Sequence, residues 1–219
     1  MSEFKVRTSQ STESNGVAIE AALNFRKAQV VVPDVLQWVL EGRVFTANVG
    51  TLTAPATLAE TTITSLQPAL AVRVPASITV IPIYTQIIWE ATGAAVMEAL
   101  IRMTNKDFGA GTSTAVTPVN LNSAYASTQS TCTVGSLYSG NGSVDVSVEI
   151  KRFIAHSDMD GTTVIGVEEG AIYDPFNGKG PICVLKGPAT YLVHAANATS
   201  STGFVIAHWA EFRTADVGI

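Results

Sequence analysis

Three histidines, two cysteines and one short acidic turn are the residues of this sequence that could do chemistry. His194 and His208 fall in two alternating apolar runs near the C-terminus, where a closing hairpin would let them face one another as the start of a metal site or an acid–base pair. A histidine on a strand is more often a packing or hydrogen-bonding residue, and that is the reading adopted. His156-Ser-Asp158-Met-Asp160-Gly161 sets two carboxylates beside a glycine, a fragment of a calcium loop. It lacks the third acid and the closing Glu at EF-hand spacing, so it reads as a solvated turn. Cys132 and Cys183 have no metal-like spacing and read as free buried thiols, with a disulfide left open.

The motif searches are equally bare. Gly135-Ser-Leu-Tyr-Ser-Gly140 has the wrong spacing for a nucleophile elbow, and Gly109-Ala-Gly111 has no Lys-Ser or Lys-Thr after it to make a P-loop. Asn141-Gly-Ser143 and Asn197-Ala-Thr199 match the glycosylation sequon, which is used only on a secretory route. Trp38, Trp89, Trp209, Tyr125, Tyr138, Tyr173 and Tyr191 could form a sugar-stacking platform, but scattered aromatics are more often core and interface anchors. The expectation is no catalytic residue, no cofactor-binding residue and no metal ligand, hence no enzyme and no cofactor.

The elements that would carry these residues are strands. From Leu66 to Asn105 two β-rich runs are joined by Ala91, Thr92 and Gly93. In the first, Ile81, Ile83, Ile87 and Trp89 recur every second residue, opposite Tyr84, Gln86 and Glu90; in the second, Met97, Ala99, Ile101 and Met103 share a face. The pair reads as a hairpin, bent or marginal near Pro82, which removes a ladder donor. Val44 and Thr46 alternate with Phe45, Ala47 and Val49. Ser143 to Ile154 gives the cleanest pattern, Val144, Val146, Val148 and Ile150 against Asp145, Ser147, Glu149 and Lys151, which predicts one face on the core and one in water. Thr190 to Ala196 and Phe204 to Phe212 read as a closing hairpin. Asp34 to Gly42 fits one or two helical turns stopped by Gly42, while Val17 to Gln29 fits helix and strand alike. Lys106 to Thr131, dominated by Gly, Ser, Thr and Asn, reads as a long loop facing partners or the exterior.

Composition bounds the setting. Hydrophobic residues make up 47% of the chain and charged residues 14%, against roughly 25% charged in an ordinary domain. Few charges are then left to cover the outside, which favours burial of surface against copies of the same chain. A net charge of -5 argues against a nucleic-acid surface. Arg73, Pro75 and Pro82 interrupt the best apolar stretch, so no run reaches the roughly 18 residues of a spanning helix. The opening MSEFKVRTSQSTESNG has acidic and hydroxyl residues where a signal peptide has an apolar core, which predicts synthesis and retention in the cytoplasm.

Turn-rich spacing favours an all-β sandwich of about eight to ten strands, and the uneven gaps suit a jelly roll better than an up-and-down barrel. The expected division is an N-terminal arm and short helix over 1–42 and the sandwich over 43–219. The passage RVPASITVIPIYTQIIWEATGAAVMEALIRMTN and the ending GPATYLVHAANATSSTGFVIAHWAEF resemble jelly-roll, TNF-like structural proteins of viral particles, those of bacterial viruses in particular. The resemblance lies in the V-P-x-x-x-x-x-I-P lead into a strand from Val74, the pair Trp89-Glu90 and the terminal Trp209-Ala-Glu211. It implies a non-enzymatic virion protein, assembled in the host cytoplasm, that joins identical copies, with a trimer as one closed form, and other capsid subunits. The N-terminal arm is not basic, which departs from capsid proteins that hold packaged RNA directly. The alternative is a carbohydrate-binding or host-attachment module on the same fold.

Overall fold

The computed structural model describes residues 34–58, 63–64, 66–91, 97–109, 111–127, 129–139, 147–155, 171–197 and 201–217. The compact unit that holds the sheets spans Trp38–Ile219. Its described strands are β1 (Val44–Val49), β2 (Ala56–Leu58), β3 (Leu70–Val74), β4 (Ile78–Ala91), β5 (Met97–Thr104), β6 (Thr114–Val116), β7 (Val119–Asn120), β8 (Thr133–Ser136), β9 (Ser147–Ala155), β10 (Ala171–Tyr173), β11 (Leu185–Lys186), β12 (Ala189–Asn197) and β13 (Ser201–Arg213). Helix α1 (Asp34–Leu40) precedes them and α2 (Thr214–Val217) follows. Val17 to Gln29, the His156 to Gly161 turn, the Asn141 sequon and most of the Asn197 sequon lie outside the described residues.

Two antiparallel sheets form an all-β sandwich. The first, called the front sheet here, runs β10-β4-β13-β1-β7, with β11 also on β4 and β2 also on β13. The second, the back sheet, runs β6-β8-β3-β12-β5-β9. Between them lie Phe45, Val49, Val80, Ile87, Val205 and Trp209 from the front and Leu70, Val72, Ala99, Ile101, Tyr191 and Val193 from the back, in one buried cluster. Such rows arise because successive strand residues point to opposite faces, so an apolar residue at every second position fills one side. A polar bond crosses the middle, Thr85 Oγ1 to Tyr191 Oη at 2.8 Å. It satisfies two hydroxyls that burial would otherwise leave costly.

Both expected hairpins are absent. β4 lies in the front sheet and β5 in the back, and β12 and β13 divide in the same way, so each consecutive pair crosses the sandwich instead of pairing. β13 instead enters the centre of the front sheet, Val44–Val49 pairing with Val205–Ala210 on one side and β4 on the other. The expected irregularity at Pro82 is present as a register shift between His208 and Trp209. β4 is central, not marginal, and Pro82 falls between its pairings with β10, at Thr85 to Ile87, and with β11, at Thr79 and Val80. Neither β10 nor β11 is therefore paired with β4 at Pro82, where the donor is missing.

Two further expectations change. The alternation predicted through β9 slips at a register shift opposite Ile101 and Arg102, so that Lys151 aligns with buried Ile101 and Glu149 with Arg102. Lys151 thereby turns inward and its Nζ donates to the carbonyls of Ile172 at 3.3 Å and Lys179 at 2.7 Å, while Val148 is 52% exposed. The 106–131 segment is not a free loop either. β6 extends the back sheet through β8 and β7 extends the front sheet through β1, so the excursion straps one lateral edge of both. Its asparagines serve α1: Asn122 Nδ2 donates to the carbonyls of Val39 and Leu40, and Asn120 Nδ2 to that of Gly42. These are the carbonyls that a helix end leaves without partners. The stop at Gly42 is as expected, with left-handed backbone (φ 70°) and Arg43 N–H bonded to Trp38 O, the Schellman arrangement.

Candidate functional site

His194 and His208 are not brought together. His194 aligns with Leu100 on the outward side of the back sheet and is fully buried, whereas His208 aligns with Tyr84 and Thr46 on the outward side of the front sheet. The whole thickness of the sandwich separates them, and among the described residues no three His, Cys, Asp or Glu side chains converge as a metal-binding group. Cys132 and Cys183 are free and buried; desolvation raises both thiol pKa values, and Glu211 beside Cys132 raises that one further. A thiol held protonated is a poor nucleophile.

Nor do the aromatic side chains make a common groove. Tyr173, Tyr191 and Trp209 are core residues, and Trp89 packs partly buried against the same core. Tyr138 packs edge-on to Phe108 over the back sheet, and Trp38 edge-on to Phe212 at 5.2 Å. Tyr125 is the exposed member, lying against Gly42.

Sequence reasoning missed one built polar cluster. Glu211 is 8% exposed, at the end of the inward row Val205, Ala207, Trp209. Its carboxylate accepts from Trp209 Nε1 at 2.8 Å, from the Thr131 N–H at 2.9 Å, and from the Ser130 and Thr131 hydroxyls. The signal was available: a carboxylate two residues beyond a tryptophan, in the apolar phase of a strand, must either find donors inside or be expelled. Four donors and no open position make this a clamp that fixes the 129–133 segment to β13.

The remaining candidate is a surface. Outward from the front sheet point Thr46 and Asn48 on β1, Phe204, Ile206 and His208 on β13, Tyr84, Gln86 and Ile88 on β4, and Ile172 on β10, as their registers require. All nine are half-buried or exposed, Ile88 at 36%, and none is charged. At the centre the rings of Tyr84 and His208 stack with centroids 5.4 Å apart, and Tyr84 Oη donates to Gln86 Oε1 at 2.9 Å. Burial holds the His208 imidazole below the ordinary histidine pKa, and its Nδ1 has no hydrogen-bond partner among the described residues. A smaller groove of about 200 Å³, lined by Met103, Val148, Val184, Leu185 and Ala189, opens between the sheets on the β9 side.

No family model, curated protein or solved structure matches the chain. Among the described residues no helix is long and apolar enough to cross a membrane.

Proposed function

We propose that this chain is a non-enzymatic structural subunit of a viral particle, a jelly roll that associates with identical copies to form or decorate a capsid. The observation that carries the reading is the strand order. Setting aside the short added strands, β1-β13-β4-β10 faces β3-β12-β5-β9. Taken along the chain, every step from β1 to β13 in this set except β5 to β9 passes from one sheet to the other. That interleaving supports the double Greek key of a jelly roll, an architecture used by viral capsid and lectin domains. Fold alone does not assign a function. The choice of a structural role over a lectin rests on the dispersal of the aromatic rings.

In this reading the sandwich is a rigid block, made in the host cytoplasm and ending in the virion. Sedimentation of the purified chain at micromolar concentration is expected to give a defined multiple of the 23.0 kDa subunit mass, with rings or shells in electron micrographs. A species of subunit mass at every concentration would remove the proposal.

A further inference from the structure

We infer that Lys151, set in a bulge of β9, closes the one long end strand of the sandwich to strand addition, so that copies of this chain cannot lengthen the back sheet. The inference goes beyond the self-association proposed above and does not rest on it. Among the described residues the front sheet is ended by β7 and β2 on one side and by β10 and β11 on the other, and the back sheet by β6, all strands of two or three residues. Strands that short offer little template to another chain. β9 is different: it is nine residues long and last in its sheet, and its Val148 and Ile154 are 52% and 60% exposed. A long end strand with exposed apolar residues is the kind a foreign strand joins most readily.

Two features of β9 oppose such joining. Ile150 is an extra residue opposite the step from Ile101 to Arg102, and a bulge of this kind interrupts the even spacing of a ladder and sharpens the local twist. Because of it Lys151 aligns with buried Ile101 and turns inward at the very margin of the sheet. Its Nζ lies 4.9 Å from the centre of the Phe153 ring and donates to the carbonyls of Ile172 and Lys179, on the front-sheet side. Those carbonyls take two of the three N–H donors of an ammonium. Lys151 is only half-buried, which leaves the third to water. A strand laid along β9 would set its own inward side chains against that ammonium and strip the water from it, a cost that the modest net gain of ladder hydrogen bonds does not offset.

Sedimentation velocity and amide hydrogen exchange on the full chain test this. Lys151→Met keeps the aliphatic stem and Lys151→Val is β-branched; both remove the charge, and circular dichroism checks that each folds. At equal concentration both are expected to grow without a fixed end point, with about tenfold or more of the protein above the wild-type size and exchange across Ser147–Ala155 slowed about tenfold. Lys151→Arg, which keeps the charge, is expected to hold the wild-type size. So is Phe108→Ala, which removes a ring 2% exposed on the same sheet. Neutral variants that fold and keep the wild-type size overturn the inference, as do variants that grow while β9 exchanges at the wild-type rate. Equal growth by Phe108→Ala also overturns it, because lost stability alone would then be the cause. In the wild type, exchange across β9 is expected to be the same at low and high concentration, and slowing on concentration overturns the inference without any variant. A wild-type chain of subunit mass whose neutral variants grow would remove the capsid reading and leave this inference standing.

Discussion

The two outer faces of the sandwich are built from the same kind of strand and finished in opposite ways. On the back sheet, Leu192 and Ala71 are covered by Phe108 and Tyr138 of the chain's own loops, which form a small buried cluster separate from the main core. Around that cover the face is ionic: Arg73 grips Asp107 through two bonds at 2.5 and 2.7 Å, and Arg152 bonds to both Glu98 and Glu149. On the front face Val44 and Ala210 are buried and Trp38 and Arg43 lie against Phe212, while Thr46, Tyr84, Gln86, Ile88, Ile206 and His208 stay half-buried or exposed. The back face is thus finished largely with paired charges, and the middle of the front face with uncharged side chains. The difference teaches that a low overall charge need not be spread evenly between two faces.

Removing the cover gives the largest effect that separates the two faces. Phe108→Ala deletes a ring that is 2% exposed and is expected to destabilise the single chain by about 3 kcal/mol in denaturant titration. A loss below about 1 kcal/mol would mean that the back face is not finished from within. Lys151→Met tests the slip in β9 that sorts charge outward. Replacing its ammonium forfeits two charge-assisted bonds to the opposite sheet, with an expected cost of about 1–2 kcal/mol by thermal unfolding.

On the front sheet, Ile206→Ala is expected to destabilise the dissociated chain by about 1 kcal/mol, well below Phe108→Ala, because the side chain is only partly buried. A loss as large as that of Phe108→Ala in the same titration would reverse the comparison. The smallest effect belongs to Asp107→Asn, about 0.5 kcal/mol at neutral pH, because the Asp107 carboxylate is half exposed and screened. Its sign with pH follows from the cause. The bond to Arg73 holds the Asp107 carboxyl pKa below its ordinary value, so its contribution is present above that ordinary value and is lost as pH falls through the lowered one. The Tm gap between wild type and Asp107→Asn should close on acidification and stay open on raising the pH.

Much of this architecture is legible in the residues. The rows Phe45, Ala47, Val49 and Met97, Ala99, Ile101 were readable from their two-residue period, and both are inward. What period cannot carry is which sheet a strand joins. β12 and β13 have the pattern of a hairpin, yet a three-residue connection takes the chain from one sheet to the other, and only distant pairings decide that. Lys151 was hidden for a related reason, since one added residue inverts every side chain after it. Polar spacing in 106–131 suggested a loop, whereas Asn120, Asn122, Ser130 and Thr131 are spent on buried or terminal acceptors far away in sequence. The front face was half visible: Tyr84, Gln86 and Glu90 lay in the polar phase of β4, but the union of Tyr84 and Gln86 with Thr46 and His208 required the crossing topology.

The position of β13 also constrains how the chain can be made. It is the final described strand, yet it fills the gap between β1 and β4 and holds the middle of its sheet. During synthesis β1 and β4 have no partner in that gap until β13 leaves the ribosome, so each spends most of translation with unpaired backbone on that side. Closure is therefore a late event, governed by contacts of long sequence separation, and the interval before it is when the nascent polypeptide is most open to joining the wrong neighbour.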